Sequence, residues 1–145
     1  MFIGTYEHSI DDKGRLAIPA RFRSELSDGL FLTRGIERCL IILTPESWQR
    51  LADRIAGLPM FQNDARQLQR HFFSGATSLQ PDRLGRVLIP QFLRDYAGLG
   101  GEVVVAGILS RIEIWDREVW ESERTQAEEH SQELAEHLAA TLSAL

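Results

Sequence analysis

Two short stretches hold the residue types from which chemistry could be built. Residues 11–19 read DDKGRLAIP and residues 82–90 read DRLGRVLIP. Each sets an aspartate three positions before a glycine and four before an arginine. Aspartate and glycine together suit a tight turn, because the carboxylate accepts backbone N–H groups and glycine takes positive φ without steric cost. Arginine adds a planar fork of donors that matches phosphate oxygens and the guanine edge. Two roles are open for Arg15 and Arg86. Each could face a polyanion such as DNA, or each could pair with the aspartate four residues earlier, Asp11 or Asp82, and brace its turn. Spacing alone leaves both standing.

Other chemistries are less well marked. His8, His71, His130 and His137 never fall four apart, so no helical metal pair is written. Neither glycine-arginine turn continues into the lysine and serine or threonine of a phosphate cradle. Nothing marks a Ser-His-Asp set. The expectation is a protein that is not an enzyme, with no catalytic residue, no metal, no cofactor and no small-molecule substrate. The single cysteine, Cys39, opens the apolar run CLIIL and reads as a small buried hydrophobe rather than a nucleophile. A lone cysteine closes no disulfide within the chain, which fits a cytoplasmic protein.

The charge pattern bears on the polyanion reading. The net charge is −5, which taken whole argues against nucleic acid. Residues 1–100 carry 13 basic and 11 acidic side chains, whereas residues 101–145 carry 3 and 10. The acidity therefore sits in the tail, and the overall balance says little about any one face. Lys13 is the only lysine; the other basic side chains are arginines. That bias reads either as genome composition or as a preference for arginine's fork. No apolar run approaches the ~20 residues of a membrane span. The start, MFIGTYEHS, lacks the basic region and apolar core of a signal peptide, so neither membrane nor export is expected.

The elements that position the two turns repeat with them. Setting Asp11 on Asp82 also sets Gly14 on Gly85, Arg15 on Arg86, Ile18 on Ile89, Pro19 on Pro90 and Arg23 on Arg94. With one inserted residue the match runs on through Gly35 and Gly107, Ile42 and Ile114, and Trp48 and Trp120. Each unit reads as strand, turn, strand, short helix, strand, strand, then a capped helix. GTYEHSI is the first strand, RLAI the return strand, ARFRSEL a short helix opened by Pro19, and LFLTRG and CLIIL two more strands. Thr44 caps the helix at Pro45, and Asp116 caps its counterpart. Along RLAIP, Leu16 and Ile18 share one face, so Arg15 points to the other; Arg86 opposes Val87 and Ile89 in the same way. Neither unit can close a core alone, so two pseudo-symmetric ββαββ units are expected to build one barrel-like core. The boundaries expected are 5–48 for the first unit, 49–75 for a helical connector, 76–120 for the second unit and 121–145 for an acidic helix.

Weaker signals lie outside the repeat. NDARQLQRHFF, residues 63–73, reads as a helix with Arg66 and Arg70 on one face, open to a phosphate stripe or to a solvated or subunit-contacting face. Trp48 and Trp120, in the first turn after a cap, read as lids packed on the barrel. Residues 116–143 read as one long acidic helix. Its stripe of Leu134, Leu138, Leu142 and Leu145 could lie on its own domain or on a neighbouring subunit.

The segments MFIGTYEHSIDDKGRLAIPARFR, RQLQRHFFSGA and DRLGRVLIPQFLRDYAGL, followed by IEIWD, resemble the MraZ family of bacterial transcriptional regulators, in order and over nearly the whole chain. The resemblance implies an AbrB-like swapped-hairpin β-barrel with both units in one chain. It implies subunits assembled into a ring, bound to repeated sites on double-stranded DNA upstream of the division and cell-wall gene cluster that includes the protein's own gene. A nucleoid-associated location follows. The family's DNA-contacting turn maps onto Lys13, Gly14 and Arg15. The second copy departs, with Leu84 where the first has Lys13 and Arg83 where the first has Asp12, so its contacts through Arg83, Gly85 and Arg86 need not repeat those of the first. The other reading of the residues is a protein-binding scaffold in which the arginines only brace their turns.

Overall fold

The computed structural model describes residues 1–144. The first unit comprises β1 (Phe2–Ser9), β2 (Arg15–Ala17), two 3₁₀ turns (Ala20–Phe22 and Ser24–Leu26), β3 (Leu30–Arg34), β4 (Leu40–Leu43) and α1 (Pro45–Ala56). After α2 (Asn63–Phe73) the pattern returns as β5 (Thr77–Leu79), β6 (Arg86–Leu88), α3 (Gln91–Ala97), β7 (Glu102–Leu109), β8 (Arg111–Asp116) and α4 (Arg117–Glu129). Thr44 Oγ1 accepts from the Ser47 N–H at 3.1 Å, and Asp116 Oδ2 from the Val119 N–H at 3.2 Å, so both expected caps are made.

The strands assemble across the units. Six of them form one antiparallel sheet in the order β1-β7-β8-β4-β3-β5, and β2 pairs with β6 as a separate two-stranded ribbon. β1 runs along β7 from Phe2↔Leu109 to Ser9↔Glu102, and β5 takes its place beside β3. The expected return of RLAI onto the first strand is reduced to one bridge, Ile10↔Leu16, because β2 spends its ladder on β6 instead. The barrel therefore does not close. The sheet is open, with β1 and β5 as its edges, and the ribbon stands beside it.

Two apolar layers flank the sheet, and strand alternation sorts residues between them. Leu40 and Ile42 face a core shared with Leu16, Ile18, Val87, Ile89, Leu93, Ile112 and Ile114, between the sheet and the ribbon. Cys39, Ile41 and Leu43 face the other side, with Ile55, Phe72 and Trp115 under the helices. β4 is thus buried on both faces, which is why CLIIL is apolar without interruption. Cys39 is buried there, as its apolar setting predicts. Trp48 and Trp120 both pack in this second layer, on the outer face of the sheet. Trp48 stacks on Phe31 with ring centroids 4.8 Å apart, and Trp120 lies 5.9 Å from Trp115.

α2 is tied to β3. Thr33 Oγ1, fully buried, donates to the Phe72 carbonyl at 2.6 Å, and Arg34 Nη1 donates to the His71 carbonyl at 3.2 Å. The Gly35 carbonyl accepts from Tyr96 Oη at 2.9 Å and from His71 Nε2 at 2.7 Å, so His71 carries a proton on Nε2. Arg66 Nη1 is held by its own loop, donating to the Met60 carbonyl at 2.9 Å.

Two expected helices differ. ARFRSEL forms two 3₁₀ turns, whereas its counterpart α3 is α-helical and closes on Gly98 at φ +64. Both present matched side chains to the core, Phe22 with Leu93 and Leu26 with Ala97. The single acidic helix is instead three segments, α4 followed by α5 (Ser131–His137) and α6 (Ala139–Ser143), parted at His130 and Leu138. The reason is the lack of packing beyond the start of α4: Trp120 holds α4 to the sheet, but α5 and α6 bury no residue, so nothing past it holds a common axis. Leu134, Leu138 and Leu142 are exposed rather than laid on the domain; Leu145 lies outside the described residues.

Candidate nucleic-acid interface

The β2–β6 ribbon carries both glycine-arginine turns. Arg15 pairs with Leu88, Leu16 with Val87 and Ala17 with Arg86. Leu16 and Val87 face the core, fully buried or nearly so, which turns Arg15 and Arg86 to the opposite face. They are diagonal neighbours on that face, about 7–8 Å apart at Cα in an antiparallel ladder. The alternation read from RLAIP and RVLIP holds at both arginines.

Each turn is closed by its own aspartate in the same way. Asp11 Oδ1 accepts the Lys13 and Arg15 N–H groups at 2.9 Å each, and Asp11 Oδ2 accepts Arg15 Nε at 2.8 Å. Asp82 Oδ1 accepts the Leu84 and Arg86 N–H groups at 2.9 and 2.8 Å, and Asp82 Oδ2 accepts Arg86 Nε at 2.8 Å. The Arg15 amide is the chief reason the Asp11 carboxyl is held below its ordinary range, against some desolvation, and the Arg86 amide does the same at Asp82. The aspartate brace, one of the two roles open to these arginines, is therefore present. It engages only Nε, however. No Nη of Arg15 or Arg86 makes a hydrogen bond among the described residues, and each side chain stays about one-third exposed, at 33% and 31%. Brace and outward arginine coexist.

The turn tips differ as the sequence does. Asp12 and Lys13 cap the first, and Arg83 and Leu84 the second, all four exposed. Gly14 and Gly85 sit at φ +87 and +74, where a side chain would be strained.

The repeat also matches Arg23 with Arg94, without a role for either. The structure places each against the other unit's turn. A Cβ built on Gly14 would lie 2.9 Å from the Arg94 guanidinium carbon, and one on Gly85 would lie 2.7 Å from that of Arg23. Arg23 Nε donates to the Ile18 carbonyl at 2.9 Å, and Arg94 Nε to the Ile89 carbonyl at 3.0 Å. The backbone crosses in parallel, since the Ile18 N–H donates to the Gly85 carbonyl and the Ile89 N–H to the Gly14 carbonyl, both at 2.8 Å. Six cationic side chains (Lys13, Arg15, Arg23, Arg83, Arg86, Arg94) thus gather at a ribbon with three carboxylates (Asp11, Asp12, Asp82), in a chain of net charge −5. Such an excess attracts anions, and unpaired arginine termini can bind phosphate oxygens or base edges.

Elsewhere the surface offers less. A groove of about 450 Å³ between α1, β4 and β8 is lined by Arg50, Arg54, Arg111 and Glu113, the last engaged by Arg111 Nε and Trp115 Nε1 at 3.0 Å each. Among the described residues no cluster of three or more His, Cys, Asp or Glu side chains could hold a metal, and no helix is long and apolar enough to cross a membrane.

The chain is similar to a described family and, among other proteins, to a named relative. The family described as "MraZ protein, putative antitoxin-like" matches the chain twice, over residues 1–71 and 72–142. A protein of Roseiflexus castenholzii (strain DSM 13941 / HLO8) named "Transcriptional regulator MraZ" is 48% identical over 139 residues, which cover 96% of this chain and 97% of that one.

Proposed function

Because the chain belongs to the MraZ family, we propose that it is a transcriptional regulator that binds double-stranded DNA in a sequence-specific manner. The observation that carries this reading is the pair Arg15 and Arg86, side by side on the solvent face of the ribbon, fixed through Nε and unengaged at their termini. Lys13, Gly14 and Arg15 form one contacting turn, and Arg83, Gly85 and Arg86 the other. Fixing a guanidinium before binding lowers the entropy lost on association, and neighbouring carboxylates offset the repulsion between the two cations.

The operators are repeated sites upstream of the division and cell-wall gene cluster that includes the protein's own gene. One chain offers two turns, and the second lacks the first one's lysine, so several subunits must act together; a homo-oligomeric ring supplies them through effective concentration. The two units pair their hairpins in the AbrB-like swapped manner, and the protein works in the cytoplasm on the nucleoid. The aspartate braces favour a second reading, a protein-binding scaffold whose arginines serve only their turns.

Arg15→Ala separates the two. Under the DNA reading, circular dichroism stays native while gel shift on the protein's own upstream DNA weakens, by ~1–3 kcal/mol for each bidentate arginine–base pairing removed. Unchanged affinity overturns the assignment, and an unfolded variant favours the scaffold. Light scattering on the wild type should give a mass several times 16.5 kDa.

A further inference from the structure

The two turns are not independent, and the link between them is the matched pair Arg23 and Arg94. Each arginine leaves its own unit and lies under the glycine of the opposite turn, close enough that a single added carbon on that glycine would collide with it. Each is pinned by an Nε–H bond to a carbonyl two residues past a core-facing position of its own ribbon strand, Ile18 for Arg23 and Ile89 for Arg94. Those same residues give their N–H groups to the opposite glycine carbonyl. Ile18 and Ile89 therefore each receive an arginine on the carbonyl and hand their amide to the other unit's turn. One residue at each strand end joins an arginine to a foreign turn.

We propose that Arg23 and Arg94 are positioning residues that set the shape of the opposite DNA-binding turn, Arg94 holding Lys13–Arg15 and Arg23 holding Arg83–Arg86, so that each turn takes its shape from a residue of the other unit. The inference rests on the DNA reading of the turns. The Nε bond to a protein carbonyl fixes each guanidinium without deciding its role, since Arg15 and Arg86 also spend Nε within the chain. Two features of the geometry support a positioning role over direct DNA binding. The guanidinium lies against glycine backbone, where it fills the space a side chain would take. The arrangement appears twice, in both directions across the pseudo-symmetric ribbon, although the turn tips themselves differ in sequence. A device kept the same under two different tips belongs to their support.

The consequence is crossed. Arg94, in the second unit, governs the first turn, and Arg23 governs the second. Amide hydrogen exchange on the full chain tests this without DNA. Arg94→Lys keeps the charge and the stem but removes the Nε–H bond and the planar surface beneath Gly14. Exchange at Lys13, Gly14 and Arg15 should then speed up while Leu84, Gly85 and Arg86 keep wild-type rates; Arg23→Lys should give the reverse. Titration with the upstream DNA adds a second readout. Both variants should bind on the order of tenfold more weakly, the scale of one lost hydrogen bond from a charged donor. The slope of log affinity against log salt should stay at its wild-type value, because the same phosphates remain neutralised.

Acceleration confined to the variant's own turn, or spread evenly over the chain, would overturn the proposal. So would a rescue in which lysine binds DNA as well as arginine does, or an alanine variant whose salt slope falls by about one unit with unchanged exchange, since either makes the arginine a direct phosphate ligand. If the wild type binds no DNA while the crossed exchange pattern is seen, the functional reading fails and the coupling of the turns stands.

Discussion

Gly14→Ala is the substitution whose cost the structure resolves most clearly, because two other glycines serve as its controls. Gly14 has φ +87, and a Cβ there would lie 2.9 Å from the Arg94 guanidinium. Gly98 has φ +64 but no heavy atom within 4 Å of its built Cβ. Gly100 has neither a positive φ nor a neighbour within 4 Å. Alanine in the left-handed region costs roughly 1–2 kcal/mol at either of the first two sites. At Gly14 the arginine must also withdraw, which breaks its bond to the Ile89 carbonyl for another ~1–2 kcal/mol. The sum is ~2–4 kcal/mol for Gly14→Ala against ~1–2 for Gly98→Ala. Gly100→Ala should be neutral or stabilising by up to ~1 kcal/mol, since it only restricts the unfolded chain. For a domain of this size about 3 °C of melting temperature goes with each kcal/mol, so the expected losses are ~6–12 °C, ~3–6 °C and none. Thermal melts of the three variants, with two-state behaviour checked by a second probe, decide the matter. A Gly14→Ala melt equal to that of Gly98→Ala would show that Arg94 does not press on the first turn. One equal to Gly100→Ala would remove the positive φ as well.

Other expectations follow from particular interactions. Asp11 and Asp82 have folded-state pKa values below their unfolded ones, so their contribution to stability is complete above the usual carboxylate range and is lost as pH falls through the depressed values. Melts should therefore weaken below about pH 4, and the Asp11→Asn, Asp82→Asn double variant should lose part of that acid sensitivity. Burial, aided by Glu113 and Glu37, pushes the Cys39 thiol up to about 12, so the folded protein at about pH 8 should resist a thiol reagent that labels it completely in denaturant. A fragment of residues 1–75 keeps β1 and β2 but loses their partners β7 and β6; it should be insoluble or self-dimerised, and a cooperatively melting monomer would contradict the shared core.

Much of this architecture is readable from residue types, and the limits are physical. The turns, the caps at Thr44 and Asp116, the burial of Leu16 and Ile18 and the direction of Arg15 and Arg86 all follow from local rules of two-residue alternation and side-chain chemistry. Each aspartate brace could be named but not chosen, because a guanidinium can serve a carboxylate through Nε and still present its termini. The partner of each strand was not legible: RLAI reads as a return onto its own hairpin, and only long-range competition gives its ladder to β6. For the same reason the barrel was expected and an open sheet formed. Arg23 and Arg94 showed themselves as a matched pair, but their role depends on a crossing between units that no local pattern encodes. The breaks at His130 and Leu138 come from a lack of packing, which periodicity does not report.

The pairing of β1 with β7 also sets a schedule for synthesis. The eight residues of β1 leave the ribosome roughly a hundred residues ahead of β7, the strand that pairs with one side of their N–H and C=O groups. At typical elongation rates of ~5–20 residues per second, that edge is exposed for on the order of 5–20 s. During this interval the nascent chain holds an unpaired strand, FIGTYEHS, and half of a ribbon. Neighbouring chains on one polysome, staggered in length, would then carry both halves of the same ladder within reach of each other. Production of the protein is for this reason most exposed to misassembly while it is being translated, and the speed of the ribosome through the segment before β7 becomes a variable of folding.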